Sequence, residues 1–335
     1  MRGFVRPRLR QLQFPFVHRG HPNPLSDDTL DPLRLELGQP KVRAAEPASG
    51  RRHAPVDRVS ANLISANIVS AARVSLLVIV AACSAAQSPG ATRDDEARSL
   101  AEYDIARDLW LNRGQAREAL DHVLEAIELD DENADAAHLA ALIYLDFCRQ
   151  SADACRLEEA ERHARDALEV KPDFREAQNT LGVVLIHRQR YAEAIEVLRP
   201  LTQDILYRTP ENAWGNIGWA YLEQGALSEA VSALSRSVAA QPDFCVGHYR
   251  LGLAQERLGH REQAVASFTQ ALNVAGGRCQ GLQEAYAGRA RLLTVMHRAD
   301  EAQKDLQTCV RLDKHTDAGR ECLALQERAQ PAATP

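Results

Sequence analysis

The 335-residue sequence predicts an all-α fold, a solenoid made by repeating one antiparallel helix pair, and three observations carry that prediction. Two matching blocks, Lys171-Pro172-Asp173-Phe174 and Gln241-Pro242-Asp243-Phe244, each combine a helix-stopping proline with a turn that opens the next helix. Leu181-Gly182, Ile217-Gly218 and Leu251-Gly252 recur, the last two 34 residues apart, and glycine there lets the first helix of a pair come close to the second. Glu193-Ala194, Glu229-Ala230, Gln263-Ala264 and Glu301-Ala302 place a small residue on the second helix in the same register. One pair leaves an apolar stripe uncovered, so neighbouring pairs must stack.

The elements then follow in chain order. Residues 1–58 crowd prolines among scattered arginines with no helical or strand period, and no methionine falls between Met1 and Met296. They are expected to be disordered, or a wrongly assigned upstream extension with the true start at Val56 or Val59. Residues 59–83 read as a signal peptide: Arg73 precedes an apolar run over 74–82 that is too short to span a bilayer. Its end, Val80-Ala81-Ala82-Cys83, resembles a bacterial lipobox. That resemblance implies diacylglycerol on the Cys83 sulfur, cleavage before it and, with Ser84 next, delivery to the outer membrane. Residues 84–97 form the expected tether, 98–329 the helical stack and 330–335 a disordered tail.

Within the stack the spacing resembles the tetratricopeptide repeat (TPR). Units are expected to begin near Leu100, Ala134, Arg175, Glu211, Cys245 and Gln283, giving a superhelix of about five helix-turn-helix units with a capping helix from about Asp317 to Ala329. The second unit runs 41 residues and the spacing from Cys245 to Gln283 is 38, insertions that loops absorb at small entropic cost. Beyond the leader the cysteines are even in number, and Cys148 is expected to pair with Cys155, pinning the base of the second unit's insertion; Cys245 with Cys279 and Cys309 with Cys322 are the pairs proposed for the rest, against other connectivities and free buried thiols.

Charge and motifs narrow the function. Residues 84–335 carry 28 Lys and Arg against 40 Asp and Glu, a balance that repels phosphate backbones, so no nucleic-acid partner is expected. No catalytic or cofactor motif occurs, so neither an enzyme, a cofactor nor a small-molecule substrate is expected. No metal site is expected either, since there is no Cys-x-x-Cys and His163 stands without partner ligands. His122, His138, His187 and His248 read as surface or groove residues. What remains is the wall formed by the first helices of the units. By repeat position it should present Asp108, Asn112, His138, Leu142, Asn179, Val183, His187, Trp219, Leu222, Glu223, Tyr249, Leu253, Glu256 and Arg257 to a protein partner. Trp219 and Tyr249 serve there either as aromatic anchors or as inter-helix packing, whereas Trp110 and Trp214 hold core positions.

One segment is more specific. Residues 205–225, with Tyr207, Arg208, Pro210 and Trp214, and Pro242-Asp243-Phe244-Cys245 after them, resemble the type IV pilus biogenesis lipoproteins called PilF, PilW or Tgl. The resemblance covers residues 83–325. It implies a pilotin, an outer-membrane lipoprotein that helps the pilus secretin reach that membrane and assemble its ring. The long second unit, the cysteine pairs and the long leader depart from the family pattern. The competing expectation is a general periplasmic adaptor or chaperone that uses the same wall for other clients.

Overall fold

The computed structural model describes residues 91–274, 279 and 281–329, and among these every regular element is helical. The expected extension, the signal peptide with Cys83, the first part of the tether and the tail lie outside the described residues. The pairs are α1 (Arg93–Leu111) with α2 (Ala116–Leu129), α3 (Ala134–Gln150) with α4 (Leu157–Val170), α5 (Arg175–His187) with α6 (Tyr191–Leu198), α7 (Pro210–Gln224) with α8 (Leu227–Ala240), α9 (Cys245–Arg257) with α10 (Arg261–Leu272), and α11 (Gln283–Val295) with α12 (Ala299–Leu312). A last helix, α13 (Asp317–Ala329), packs against α11 and α12 and ends the stack. There are thus six pairs, in line with the six expected starts rather than with the count of about five. The first helix also begins at Arg93, ahead of the expected stack boundary, because Thr92 caps it. The Asp95 amide donates to Thr92 Oγ1 at 3.3 Å, while the Thr92 amide donates to Asp95 Oδ2 at 3.3 Å, satisfying two otherwise orphaned donors reciprocally. Among the described residues no helix is long and apolar enough to cross a membrane.

Turn chemistry alternates along the chain. Inside five of the pairs the connection uses one residue in the left-handed region: Gly114, Gln189, Gly225, Gly259 and His297. Such a residue ends a helix by redirecting its last carbonyls. The second pair has the insertion instead, and Cys148 is joined to Cys155 across it with Cα atoms 3.9 Å apart. Between pairs, the Phe174 amide donates to the Lys171 carbonyl and the Phe244 amide to the Gln241 carbonyl, each at 3.0 Å. The proline blocks therefore make tight turns, and Phe174 drives its ring into the interior.

Packing explains the small residues. A Cβ on Gly218 would lie 2.5 Å from Leu234 Cγ, and one on Gly252 would lie 2.7 Å from the Phe268 ring. Only glycine lets the paired helices approach so closely around a large side chain. From the facing helices Ala194, Ala230, Ala264 and Ala302 are all buried. Successive first helices also pack directly on one another: α3 on α5, α5 on α7, α7 on α9, α9 on α11 and α11 on α13. Successive second helices do not approach in this way, so the first helices form the shorter, inner wall of the stack.

Two further disulfides link Cys245 at the start of α9 to Cys279, and Cys309 on α12 to Cys322 on α13, with Cα separations of 6.2 Å in each. Purified without reductant, the protein should take up no iodoacetamide at these six cysteines. Prior reduction should expose them to alkylation, as peptide mass mapping would register; six labelled thiols in the unreduced sample would contradict the pairings.

Candidate protein-binding wall

The inner wall is a ladder of polar contacts across consecutive units. His138 on α3 shares a hydrogen bond with Thr180 Oγ1 on α5 at 2.9 Å. On the next rung Asn216 Nδ2 of α7 donates to Asn179 Oδ1 of α5 at 3.1 Å, and Arg250 Nη1 of α9 donates to Asn216 Oδ1 at 3.1 Å. Farther along, Arg257 donates to the Leu222 carbonyl at 2.9 Å. Arg291 of α11 grips Glu256 of α9 through Nε and Nη2 at 2.8 and 2.9 Å and also reaches Glu321 of α13. Two parallel bonds to one carboxylate fix orientation as well as distance, and the pairing raises the Arg291 pKa. These rungs set the rotation of one unit against the next.

Trp219 lies at the centre of the wall. His187 meets its ring edge-on at 5.2 Å, and the Arg250 guanidinium lies 4.4 Å above the ring centroid. Burial, followed by the Arg250 charge, lowers the His187 pKa to about 4, so the imidazole is neutral at pH 7. Burial likewise takes His138 down to about 3, with the Lys171 charge adding to it.

The structure divides the residues expected to line the wall. His138, Leu142, Asn179, Trp219 and Leu222 are buried and belong to the seams between successive helices, so their expected place on an open surface is corrected. Val183, His187, Glu223, Tyr249, Leu253 and Glu256 are half-buried, Asp108 is half-buried in the last turn of α1, and Asn112 and Arg257 are exposed. Asn216, Arg250, Glu284 and Arg291 were not singled out by the sequence, yet they carry most of the wall's polar chemistry. A separate group, Glu102, His122 and Glu125, places its ligand atoms within 4.8 Å of one another. Within it His122 Nδ1 already shares a hydrogen bond with Glu102 Oε2 at 2.6 Å.

Glu284, in the first turn of α11, is largely covered, and burial raises its carboxyl to about 7 from a usual 4.5. The folded protein therefore holds a proton that the unfolded chain has released. Stability from the neutral form is full below about 4.5 and is lost as pH rises through about 7. Glu284→Gln should accordingly stabilise the fold by about 2 kcal/mol at pH 8 and far less at pH 5. Urea midpoints at the two pH values check this, and equal gains at both would show that the carboxyl is not held neutral.

The family-like segment takes a different position. Tyr207 is buried, Pro210 opens α7, Arg208 is exposed, and Trp214 is half-buried under the Arg236 guanidinium at 4.7 Å. Asp204 holds the loop by accepting from the Leu206 amide at 2.8 Å and from Arg175 Nε at 2.5 Å. This leaves Ile205 and Leu206 projecting, 95% and 67% exposed.

Tetratricopeptide-repeat profiles match residues 152–204, 211–244 and 247–276. The stack is a solenoid of helical repeats, and those spans of it carry tetratricopeptide repeats. Its fold is similar to that of PilW, a widely conserved type IV pilus biogenesis factor, with a TM-score of 0.57 and 23% identity over 67% of this chain and 98% of that one. It is also similar to Pseudomonas aeruginosa PilF, with a TM-score of 0.55 and 19% identity over 70% of this chain and all of that one. By sequence it is similar to Superkiller protein 3 of Schizosaccharomyces pombe, 24% identical over 194 residues. That match covers 55% of this chain but only 14% of the longer protein. The TPR solenoid is a protein-interaction fold, and here its inner wall offers aromatic, cationic and apolar groups side by side.

Proposed function

We propose that this protein is a lipid-anchored scaffold on the periplasmic face of the outer membrane that captures a segment of the type IV pilus secretin and promotes its localisation and ring assembly. The observation that carries the reading is the continuous wall of first helices, in a fold shared over nearly the whole length of PilW and PilF. The lipobox-like Val80-Ala81-Ala82-Cys83 and the segment around Tyr207 support it from the sequence. Acyl chains on Cys83 would hold the stack at the membrane, since each buried methylene contributes about 0.8 kcal/mol. The wall then raises the local concentration of secretin subunits where they insert. No bond is made or broken.

Deleting the gene should abolish heat-resistant secretin multimers and surface pili, and the wild-type chain, but not Cys83→Ala, should restore them. Unchanged multimers in the deletion strain would remove the secretin from the proposal. Recovery of other envelope proteins in its place, on co-purification from membranes, would then identify a general periplasmic adaptor.

A further inference from the structure

Resting on the reading of this wall as a polypeptide-binding surface, we infer that Arg250 is the receptor for an acidic side chain, Asp or Glu, inside the partner's bound segment. Seven arginines are half-buried among the described residues. Six of them have a carboxylate within ion-pair distance: Arg107 with Asp104 at 2.9 Å, Arg175 with Asp204 at 2.5 Å, Arg188 with Glu161, Arg190 with Glu161 at 2.6 Å, Arg289 with Asp305 at 2.7 Å and Arg291 with Glu256 at 2.8 Å. Arg250 is the seventh, and it has none.

Its surroundings hold the guanidinium in place without neutralising it. Nη1 donates to Asn216 Oδ1 at 3.1 Å and to the Gly215 carbonyl at 3.4 Å, and the plane rests on Trp219. Nε and Nη2 donate to nothing in the described protein. Tyr249 and Glu223 act on the cation electrostatically, but neither closes on it. A desolvated guanidinium with two free donors in a fixed plane matches one carboxylate in a bidentate arrangement. On a domain whose acidic residues outnumber its basic ones, this makes the position selective: here a partner's carboxylate meets a cation that no resident acid has already neutralised. The wall continues as half-buried apolar surface on both sides, through Val183 on α5 and Leu253 on α9. The segment therefore runs past the cation in both directions, which favours an internal acidic residue over a chain end.

The test is a selection of random dodecapeptides, displayed with both ends blocked, against the full chain and in parallel against Arg250→Gln. Wild-type binders should share an internal Asp or Glu. Changing that residue to Asn or Gln in a synthetic peptide should weaken wild-type binding by about tenfold and leave the weaker Arg250→Gln binding unchanged. Independently of any variant's folding, the acidic peptide should shift the NMR signal of the Arg250 Nε–H, and the neutralised peptide should not. Peptides that bind both proteins equally, or that lose the same affinity on both when neutralised, would overturn the assignment while leaving the scaffold reading intact. Binders recovered only from a parallel library with free C-termini would overturn the internal position. If no peptide binds the wild-type chain in either library, the polypeptide-binding wall fails and the assignment fails with it.

Discussion

Phe268→Ala is expected to destabilise the protein by about 3 to 5 kcal/mol, the range for emptying a buried aromatic site that cannot collapse. Phe268 on α10 is fully buried, and its ring fills the space left by two glycines from different units. A Cβ added to Gly252 of α9 would come within 2.7 Å of that ring, and one added to Gly288 of α11 within 2.9 Å. One side chain thus closes its own helix pair and docks the next, with Tyr249 leaning on it at 6.0 Å. In a solenoid each unit is held only by its neighbours, so the damage should be directional. Amides in α11 to α13 should lose hydrogen-exchange protection before those in α1 to α6, and the urea midpoint should fall. Phe268→Leu, which refills part of the volume, should recover much of the loss. A total cost near 1 kcal/mol, or protection lost evenly along the chain, would mean that this ring does not join the units.

The same packing shows what could be read from the sequence and what could not. Pro172-Asp173-Phe174 and Pro242-Asp243-Phe244 were legible because turn and anchor are adjacent in the chain. Gly182, Gly218 and Gly252 were legible because each meets its large partner at a fixed interval within one unit. The first pair was harder to delimit: α1 lacks the Leu-Gly or Ile-Gly pair that marks the third to fifth units, and its start is set by a Thr92–Asp95 cap that carries no repeat signal. The wall was only partly legible. Helical period assigns Asn179 and Trp219 to the inward face, but it does not say how far the next first helix covers that face. The contact from Asn216 to Asn179 spans 37 residues and that from Arg250 to Asn216 spans 34. Such contacts follow from the rotation between units, which no local pattern encodes, and so nothing in the sequence singled out Arg250 beside Tyr249.

Glu161→Ala should cost about 2 to 3 kcal/mol at pH 7, less than the loss of a fully enclosed ion pair because the surrounding arginines remain partly open to water. The Glu161 carboxylate, buried on α4, accepts from Arg165 on its own helix at 2.8 Å, from Arg190 at 2.6 Å and from Arg188. Arg188 and Arg190 flank Gln189, whose φ of 61° turns the chain so that both can reach the same carboxylate from the α5–α6 connection. Arg165 also reaches Glu193 of α6 at 2.8 Å, so the group ties two units together. Removing Glu161 leaves three cations close together with one fewer anion among them. Desolvation is the largest single influence on Glu161 and pushes its pKa up, but the hydrogen bonds from Arg165 and Arg190 and the charges of Arg188 and Arg190 outweigh it, and the net shift is downward. A depressed carboxyl contributes stability that is present above its unfolded value of 4.5 and is lost as pH falls through the lower folded value. The gap in unfolding free energy between wild type and Glu161→Ala should therefore be constant from pH 8 to about 5 and narrow steadily below that, because the wild-type protein gives up the same interaction on protonation. Glu161→Gln keeps an acceptor without the charge, so it should retain part of the stability and show little of the acid dependence. If the gap stays the same down to pH 3, the cost lies in packing around α4, and the charge cluster holds the two units together far less than its geometry suggests.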